Sequence, residues 1–149
     1  MSSSPDPLSA AVADDFVARL AGLAPDGLSR AERELASTVV SRVNGCVYCA
    51  SVHAQRFKQL AKRDDVIQQI FAAPDTAGTT ERERAIVRYA IDLTLHPEAV
   101  GPESLDALRH AGLDDMQIFD LSHAIAIFAW ANRLMLTLGE PVVGQQAFA

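Results

Sequence analysis

Apolar residues recur every three or four positions along most of the chain, which is the period of an α-helix with one buried face. Strands would show alternating β-branched or aromatic residues, and no such run appears. Seven segments carry the helical pattern, at about residues 9–23, 28–43, 46–60, 65–72, 80–96, 102–112 and 114–139. The pattern predicts a single all-α domain over residues 9–149, a bundle of about six or seven helices, with a flexible tail at residues 1–8.

Local capping and turn signals set the predicted ends of these helices. Ser29 and Glu32 have the spacing of a capping box, and so do Thr80 and Glu83. Gly45 interrupts the helical pattern, because glycine favours the end of a helix. A new helix is therefore predicted to begin at about residue 46.

The last predicted helix is apolar on more than one face. One stripe consists of Ile118, Leu121, Ile125 and Phe128, and a second of Phe119, Ile127, Trp130 and Leu134. A helix with this pattern lies deep in a core or at a subunit interface. Both positions remain open from the sequence.

Composition and charge narrow the class of protein. The chain has 149 residues, 49% of them hydrophobic and 21% charged, which is ordinary for a globular domain. The formal net charge is -6 and no basic stripe is present, which argues against nucleic acid or an anionic membrane surface as a partner. The longest apolar run, residues 124–131, is far shorter than the roughly 20 residues of a membrane span. The first residues are polar and show no secretory signal, so we expect a cytoplasmic protein.

The candidate chemistry lies in the stretch NGCVYCASVH, residues 44–53, which holds both cysteines of the chain. On a helix, Cys46, Cys49, His53, Phe57 and Leu60 fall on one face. That face should be the buried one. Two thiols and an imidazole thus replace apolar groups at one end of a buried stripe, which indicates a site at the edge of the core.

The position of the thiols favours reactivity. Both cysteines are predicted in the first turn of a helix, where unpaired backbone N–H groups and the helix dipole favour a thiolate. Cysteines three residues apart are close enough for a disulfide. His53, one turn after Cys49, is placed to exchange a proton with it directly or through a water.

Several kinds of site compete for this pattern. A c-type haem site needs a histidine directly after the second cysteine, where Ala50 stands, so haem is rejected. A structural zinc site needs four ligands; Cys46, Cys49 and His53 supply three, and Glu34 would have to be the fourth. A thioredoxin-like site needs a βαβ setting, which the pattern lacks. Inert buried thiols remain an alternative, and redox chemistry by the pair is favoured.

The same residues carry a resemblance to a known family. The segment ERELASTVVSRVNGCVYCASVHA resembles the signature of the alkylhydroperoxidase D-like family, within the carboxymuconolactone decarboxylase superfamily. The family pattern is a glutamate, eleven residues, CxxC, three residues and a histidine. Glu34, Cys46, Cys49 and His53 match that spacing throughout.

Later segments resemble the peroxidase-related branch of this family, including an Asn-Arg pair at Asn132 and Arg133. The resemblance implies an all-α fold that assembles as a homo-oligomer, a trimer or a hexamer. It also implies a small hydroperoxide as substrate and a thiol or dithiol, lipoyl or thioredoxin-like, as reductant.

The resemblance further implies the roles of the site residues. Cys49 would be the peroxidatic thiolate and Cys46 the resolving thiol that closes a disulfide. His53, oriented by Glu34, would take the proton of Cys49. No metal, haem or other cofactor is required.

One departure from the family pattern bears on efficiency. The best-known members have a histidine directly before the second cysteine, where this chain has Tyr48. Tyr48 is kept as an auxiliary site residue that donates a hydrogen bond or simply packs. His123 is expected to be a satisfied core histidine, and His96 and His110 to be surface or cap residues.

The leading functional hypothesis is a thiol-dependent peroxidase. One alternative is a non-enzymatic redox sensor or oligomeric binding module. Another is decarboxylase or lactone chemistry of the superfamily, which does not depend on a cysteine pair.

Overall fold

The computed structural model describes residues 14–19 and 24–139. The described residues contain six complete α-helices, a helical segment at residues 14–19, and no strand. The helices are α1 (Arg30–Val43), α2 (Val47–Ala61), α3 (Asp65–Ala72), α4 (Glu81–Leu95), α5 (Pro102–His110) and α6 (Asp115–Leu138), with short 3-10 turns at Pro74–Thr76 and Pro97–Ala99. The predicted all-α class is confirmed, whereas the predicted tail and most of the first predicted helix lie outside the described residues.

Helix α1 is the central element of the bundle, and α2, α4 and α6 pack around it. Its apolar residues Leu35, Ala36, Val39 and Val40 are all fully buried. Apolar positions in two adjacent rows give α1 a wide buried face, so it can contact helices on several sides. The core therefore lies around α1. The turn that follows α1 and leads to Cys46 begins beside this core.

One predicted capping box is confirmed and the other is half confirmed. Ser29 and Glu32 form a reciprocal capping box at α1, and Asp114 caps α6 in the same way, a capping box beyond the two predicted. At α4 the Thr80 side chain accepts from the Glu83 backbone N–H, but the Glu83 carboxylate does not accept from the Thr80 backbone N–H. The Glu83 carboxylate instead accepts from the backbone and hydroxyl of Thr79 and pairs with Arg63, partners that compete with the cap.

Helix α6 buries one face and exposes the other. The first predicted stripe packs inward, with Ile118, Leu121 and Ile125 buried and Phe128 half-buried. The second stripe is exposed in the isolated chain, with Phe119 43%, Ile127 38%, Trp130 60% and Leu134 40% exposed. The sequence left open whether α6 lies deep in the core or at a subunit interface. The structure buries only one of its faces in the core.

The length and composition of α6 also permit a membrane span, and it is the one described helix of which this is true. The apolar run at residues 124–131 did not indicate such a span, because it ends before Asn132. One such helix is weak evidence, since the central helix of a globular protein passes the same test. The absence of a membrane partner stays a prediction.

A buried carboxylate joins α6 to the start of α1. Asp120 is 1% exposed and accepts from the Leu28 backbone N–H at 3.2 Å. The guanidinium groups of Arg33 and Arg19 lie 3.5 and 3.8 Å from it. Gly27 is needed beside it, because a Cβ there would stand 2.7 Å from an Asp120 oxygen.

Candidate active site

The turn between α1 and α2 places the first cysteine. Gly45 has φ +76°, a left-handed conformation that glycine adopts at low cost, and it ends α1. The Cys46 N–H then donates to the Ser41 carbonyl at 2.9 Å. Cys46 is the N-cap of α2, and the helix begins at Val47. The prediction that both cysteines lie inside the first turn is thus wrong by one residue for Cys46, because its backbone is still extended.

The two cysteines are bonded to each other. Cys46 and Cys49 form a disulfide, with their Cα atoms 5.4 Å apart, within the usual range for such bonds. Cys49 is the third residue of α2, so its sulfur lies near the unpaired N–H groups of the first turn. The geometry therefore allows the pair to form and break a disulfide without a rearrangement of the helix.

A buried acid–imidazole pair lies one turn further along α2. His53 Nδ1 is 2.6 Å from Glu34 Oε2, and the two residues are 5% and 7% exposed. Glu34 comes from α1, so the contact joins the two helices. An ionised carboxylate accepts a hydrogen bond from Nδ1–H, which leaves Nε2 as the ring atom that can take up a proton.

Packing holds the imidazole ring in place. The Phe128 ring of α6 lies 4.2 Å from the His53 ring, centroid to centroid, in an edge-on arrangement. Arg56 approaches the other Glu34 oxygen at 3.9 Å, but its side chain is 53% exposed. His53 is therefore fixed by a carboxylate on one side and an aromatic ring on another.

One cleft borders the disulfide on its Cys46 side. Cys46 and Cys49 are 2% and 8% exposed, so little of either sulfur meets bulk solvent. A cleft of about 240 Å³, however, has Cys46 in its lining, together with Gly45, Val47 and Phe71. Burial alone would suit inert thiols, whereas a cleft that ends on one of the two cysteines suits exchange with a small molecule or a reductant.

A polar network that the sequence did not predict supports the turn before Cys46. Asn132 of α6 is fully buried. It accepts from the Asn44 side chain at 3.1 Å and donates to the Ser41 hydroxyl at 3.1 Å. The sequence marked Asn132 as the end of a long apolar run and as part of the Asn-Arg pair of the family resemblance, but neither signal gave it a partner.

The structure brings four of the five predicted site residues together, as two adjacent pairs. Tyr48 is different: it is 39% exposed and lines a shallow cleft on the outer face of α2 with Gln55 and Gln59. Among the described residues, its hydroxyl has no hydrogen-bond partner. The auxiliary role of Tyr48 stays a prediction.

Two further expectations need correction. Leu60 was placed on the buried stripe of α2 but is 44% exposed, whereas Ala61 beside it packs against the core. His123 is half-buried and not a core residue, although its Nδ1 lies 2.9 Å from the Phe119 carbonyl. Within residues 14–19 and 24–139, no cluster of three or more histidine, cysteine or acidic side chains has the geometry to hold a metal ion.

Comparison with known proteins points to one family. Residues 10–92 match the carboxymuconolactone decarboxylase family. The chain is also 26% identical over 113 residues to the uncharacterized protein YdfG of Bacillus subtilis (strain 168), a match that covers 75% of this chain and 76% of that protein. The family match includes Glu34, both cysteines and His53.

Solved structures share the fold. An uncharacterized peroxidase-related protein from Ralstonia eutropha JMP134, described as an alkylhydroperoxidase AhpD core, has a TM-score of 0.74 and 27% identity, covering 91% of this chain and 74% of that one. A peroxidase-related protein from Silicibacter sp. TM1040, also uncharacterized, has a TM-score of 0.74 and 24% identity, covering 93% and 72%. The second likeness is one of fold alone.

Proposed function

The chain belongs to the carboxymuconolactone decarboxylase family, and from that premise and the geometry of its thiol site we propose that it is a thiol-dependent peroxidase that reduces hydroperoxides. The observation that carries the proposal is the juxtaposition of two pairs at the start of α2: a bonded Cys46–Cys49 pair and a buried His53–Glu34 pair. Disulfide chemistry needs neighbouring sulfurs, and thiol activation needs a base within reach.

The first half of the proposed cycle consumes the peroxide. His53, held by Glu34, takes the proton of the Cys49 thiol directly or through a water. The thiolate attacks the outer oxygen of the hydroperoxide, the O–O bond breaks, and its electron pair leaves on the alkoxide. The alkoxide takes a proton, which His53 is placed to return, and departs as an alcohol. Cys49 is left as a sulfenic acid, oxidised by two electrons.

The second half closes and reopens the disulfide. The Cys46 sulfur attacks the Cys49 sulfur, and the sulfenic hydroxyl leaves with the Cys46 proton as water. A thiol or dithiol reductant then supplies two electrons by exchange and restores both thiols. Because Cys46, and not Cys49, is in the lining of the open cleft, we infer that the reductant attacks the Cys46 sulfur. Cys49 is then released as the thiolate beside His53.

Assembly into a homo-oligomer, a trimer or a hexamer, is part of the same proposal. The exposed second stripe of α6 supports it, because several large apolar side chains exposed on one helix face are characteristic of an interaction site. The substrate peroxide and the reductant are the other expected partners.

The test is rapid mixing of the fully reduced protein with cumene hydroperoxide. We expect the loss of two thiols per chain, the formation of the 46–49 disulfide by mass spectrometry, and repeated turnover when dithiothreitol is supplied. Cys49→Ser should abolish peroxide consumption. Cys46→Ser should consume one equivalent and stop at a sulfenic acid that dimedone labels.

Each other outcome favours a different hypothesis. One stoichiometric oxidation without turnover would favour a redox sensor. Release of carbon dioxide from carboxymuconolactone that Cys49→Ser leaves intact would favour a decarboxylase. Full peroxidase activity in Cys49→Ser would contradict the proposal outright.

A further inference from the structure

A second cleft opens beside Glu34, between α1, α2 and α6. Its volume is about 210 Å³, and Arg30, Arg33 and Arg56 line it together with Glu34. An adjoining cleft of about 210 Å³ shares Arg30, Glu34 and Arg56 with it. Three guanidinium groups and one carboxylate thus meet on a chain whose net charge is -6, which makes this cleft a local site of positive charge.

Two of the three arginines are available to a further anion. Arg33 is committed to the protein: burial lowers the pKa of its guanidinium, and the charge of Asp120 at 3.5 Å opposes that shift. Arg56 reaches only 3.9 Å from Glu34, whose other oxygen is already bound by His53. Arg30 forms no ion pair with any residue in the described ranges. Arg30 and Arg56 therefore keep donors that a ligand can use.

The opposite wall of the cleft is apolar. Ala124, Ile127 and Phe128 of α6 form it. Phe128 also packs against the His53 ring at 4.2 Å, so the apolar wall leads towards the imidazole. A ligand with an anionic end and an apolar body would match both walls.

The distance to the thiol site suits a small molecule. Arg56 follows Cys49 by seven residues on α2, which is two helical turns, or about 10.5 Å between Cα atoms on one face. The Arg56 guanidinium lies 3.9 Å from Glu34, and Glu34 in turn contacts His53, one turn after Cys49. One compact molecule can span that distance.

We propose that this cleft binds the carboxylate of the organic hydroperoxide substrate, with the guanidinium groups of Arg30 and Arg56 as its partners and the apolar wall of α6 against its body. A planar guanidinium binds a carboxylate through two parallel hydrogen bonds, which gives direction as well as affinity. The proposal rests on the proposed peroxidase function, and it defines the class of peroxide that the enzyme prefers.

A binding experiment tests the site without any turnover. Calorimetry with 4-isopropylbenzoate and its neutral counterpart 4-isopropylbenzamide compares ligands that differ only in the anionic group. We expect the benzoate to bind about tenfold more tightly, as one charge-assisted pair suggests. Arg30→Gln and Arg56→Gln should each remove most of that difference. Arg88→Gln, an exposed arginine on α4 paired with Asp92, is the matched control and should change nothing.

A kinetic experiment connects the site to substrate choice. The ratio of kcat/KM for 4-carboxycumene hydroperoxide to that for cumene hydroperoxide should exceed one in the wild-type protein. It should fall about tenfold in Arg30→Gln and stay constant in Arg88→Gln.

The two experiments separate the two proposals. Benzoate binding without turnover of either peroxide would sink the peroxidase proposal and leave the anion site standing. Turnover of both peroxides with a ratio near one, and equal binding of benzoate and benzamide, would overturn the anion site alone.

Discussion

Glu34 lies in the charged run RAERE, where a solvent-exposed side chain would be the ordinary expectation, yet it is 7% exposed and bound to His53. A buried carboxylate is costly unless it is paired and hydrogen-bonded. The imidazole meets that need, and the carboxylate in turn fixes which ring nitrogen is free. At the scale of single residues, stability and chemistry therefore depend on the same 2.6 Å contact.

We expect substitutions in the His53–Glu34 pair to change the rate of thiol oxidation separately from the stability of the fold. His53→Asn should slow thiol oxidation by hydroperoxide about a hundredfold, because a positioned base contributes roughly that much or more. Glu34→Gln should slow it less, about tenfold, since an amide oxygen can still orient the ring. Stopped-flow thiol loss and thermal unfolding of the same samples measure both quantities. His110→Asn, on an exposed helix end, is the control; a rate within twofold of wild type in His53→Asn would contradict the assigned role.

At the scale of elements, the start of α2 depends on a helix far away in the chain. Asn132 of α6 binds both Asn44 and Ser41, and the Ser41 carbonyl holds the Cys46 N–H. The turn that places Cys46 at the helix start is thus tied to α6 on one side and ended by Gly45 on the other. Asn132 is distant in the sequence from Ser41 and Asn44, and it meets them only because α6 packs against α1.

Asn132→Ala should destabilise the fold by about 2 kcal/mol, because it removes a partner of the buried Ser41 hydroxyl and of the half-buried Asn44 amide, and an unsatisfied buried polar group costs about 1–3 kcal/mol. Urea unfolding followed by circular dichroism measures the free energy. The neighbouring Arg133 is exposed, so Arg133→Ala should stay within about 0.5 kcal/mol of wild type. Equal stability of the two variants would show that the network carries no energy.

At the scale of the whole molecule, one surface is unlike the rest. The outer face of α6 exposes Phe119, Ile127, Trp130 and Leu134 along one side of the bundle. Separate apolar residues on a surface are common, whereas a continuous row on one helix indicates a contact with another protein. A second copy of the chain is the partner that the oligomer proposal provides.

The single tryptophan reports on that contact. Trp130 is 60% exposed in one chain, so burial in an oligomer should shift its fluorescence emission to shorter wavelength. We expect the wild-type protein to sediment as a trimer or hexamer, and Leu134→Glu to give monomers with red-shifted emission. Leu95→Glu, at the exposed end of α4, should keep the assembly. A wild-type monomer with solvent-like emission would contradict the prediction.

Much of the fold was predictable because it depends on neighbours in the chain. The cap at Ser29 follows from residues within one helical turn, and α3 has the limits predicted for it, Asp65–Ala72. The half-formed cap at Thr80 was not predictable in the same way, since Glu83 is drawn to Arg63, twenty residues away. Leu60 was misplaced because helical periodicity cannot say which side chains of a helix face a neighbouring element will cover.

The same distinction between local contacts and contacts across the bundle applies to the candidate site. The spacing of Cys46, Cys49 and His53 on one helix was a local property, and the sequence alone determined it together with the all-α class. The depth of Glu34 and the buried position of Asn132 were decided only when α1, α2 and α6 packed together, and the cleft beside Cys46 only when α3 joined α1 and α2. Local hydrogen bonds and the 3.6-residue period are written into adjacent residues, whereas burial and contacts across the bundle depend on which helix faces meet.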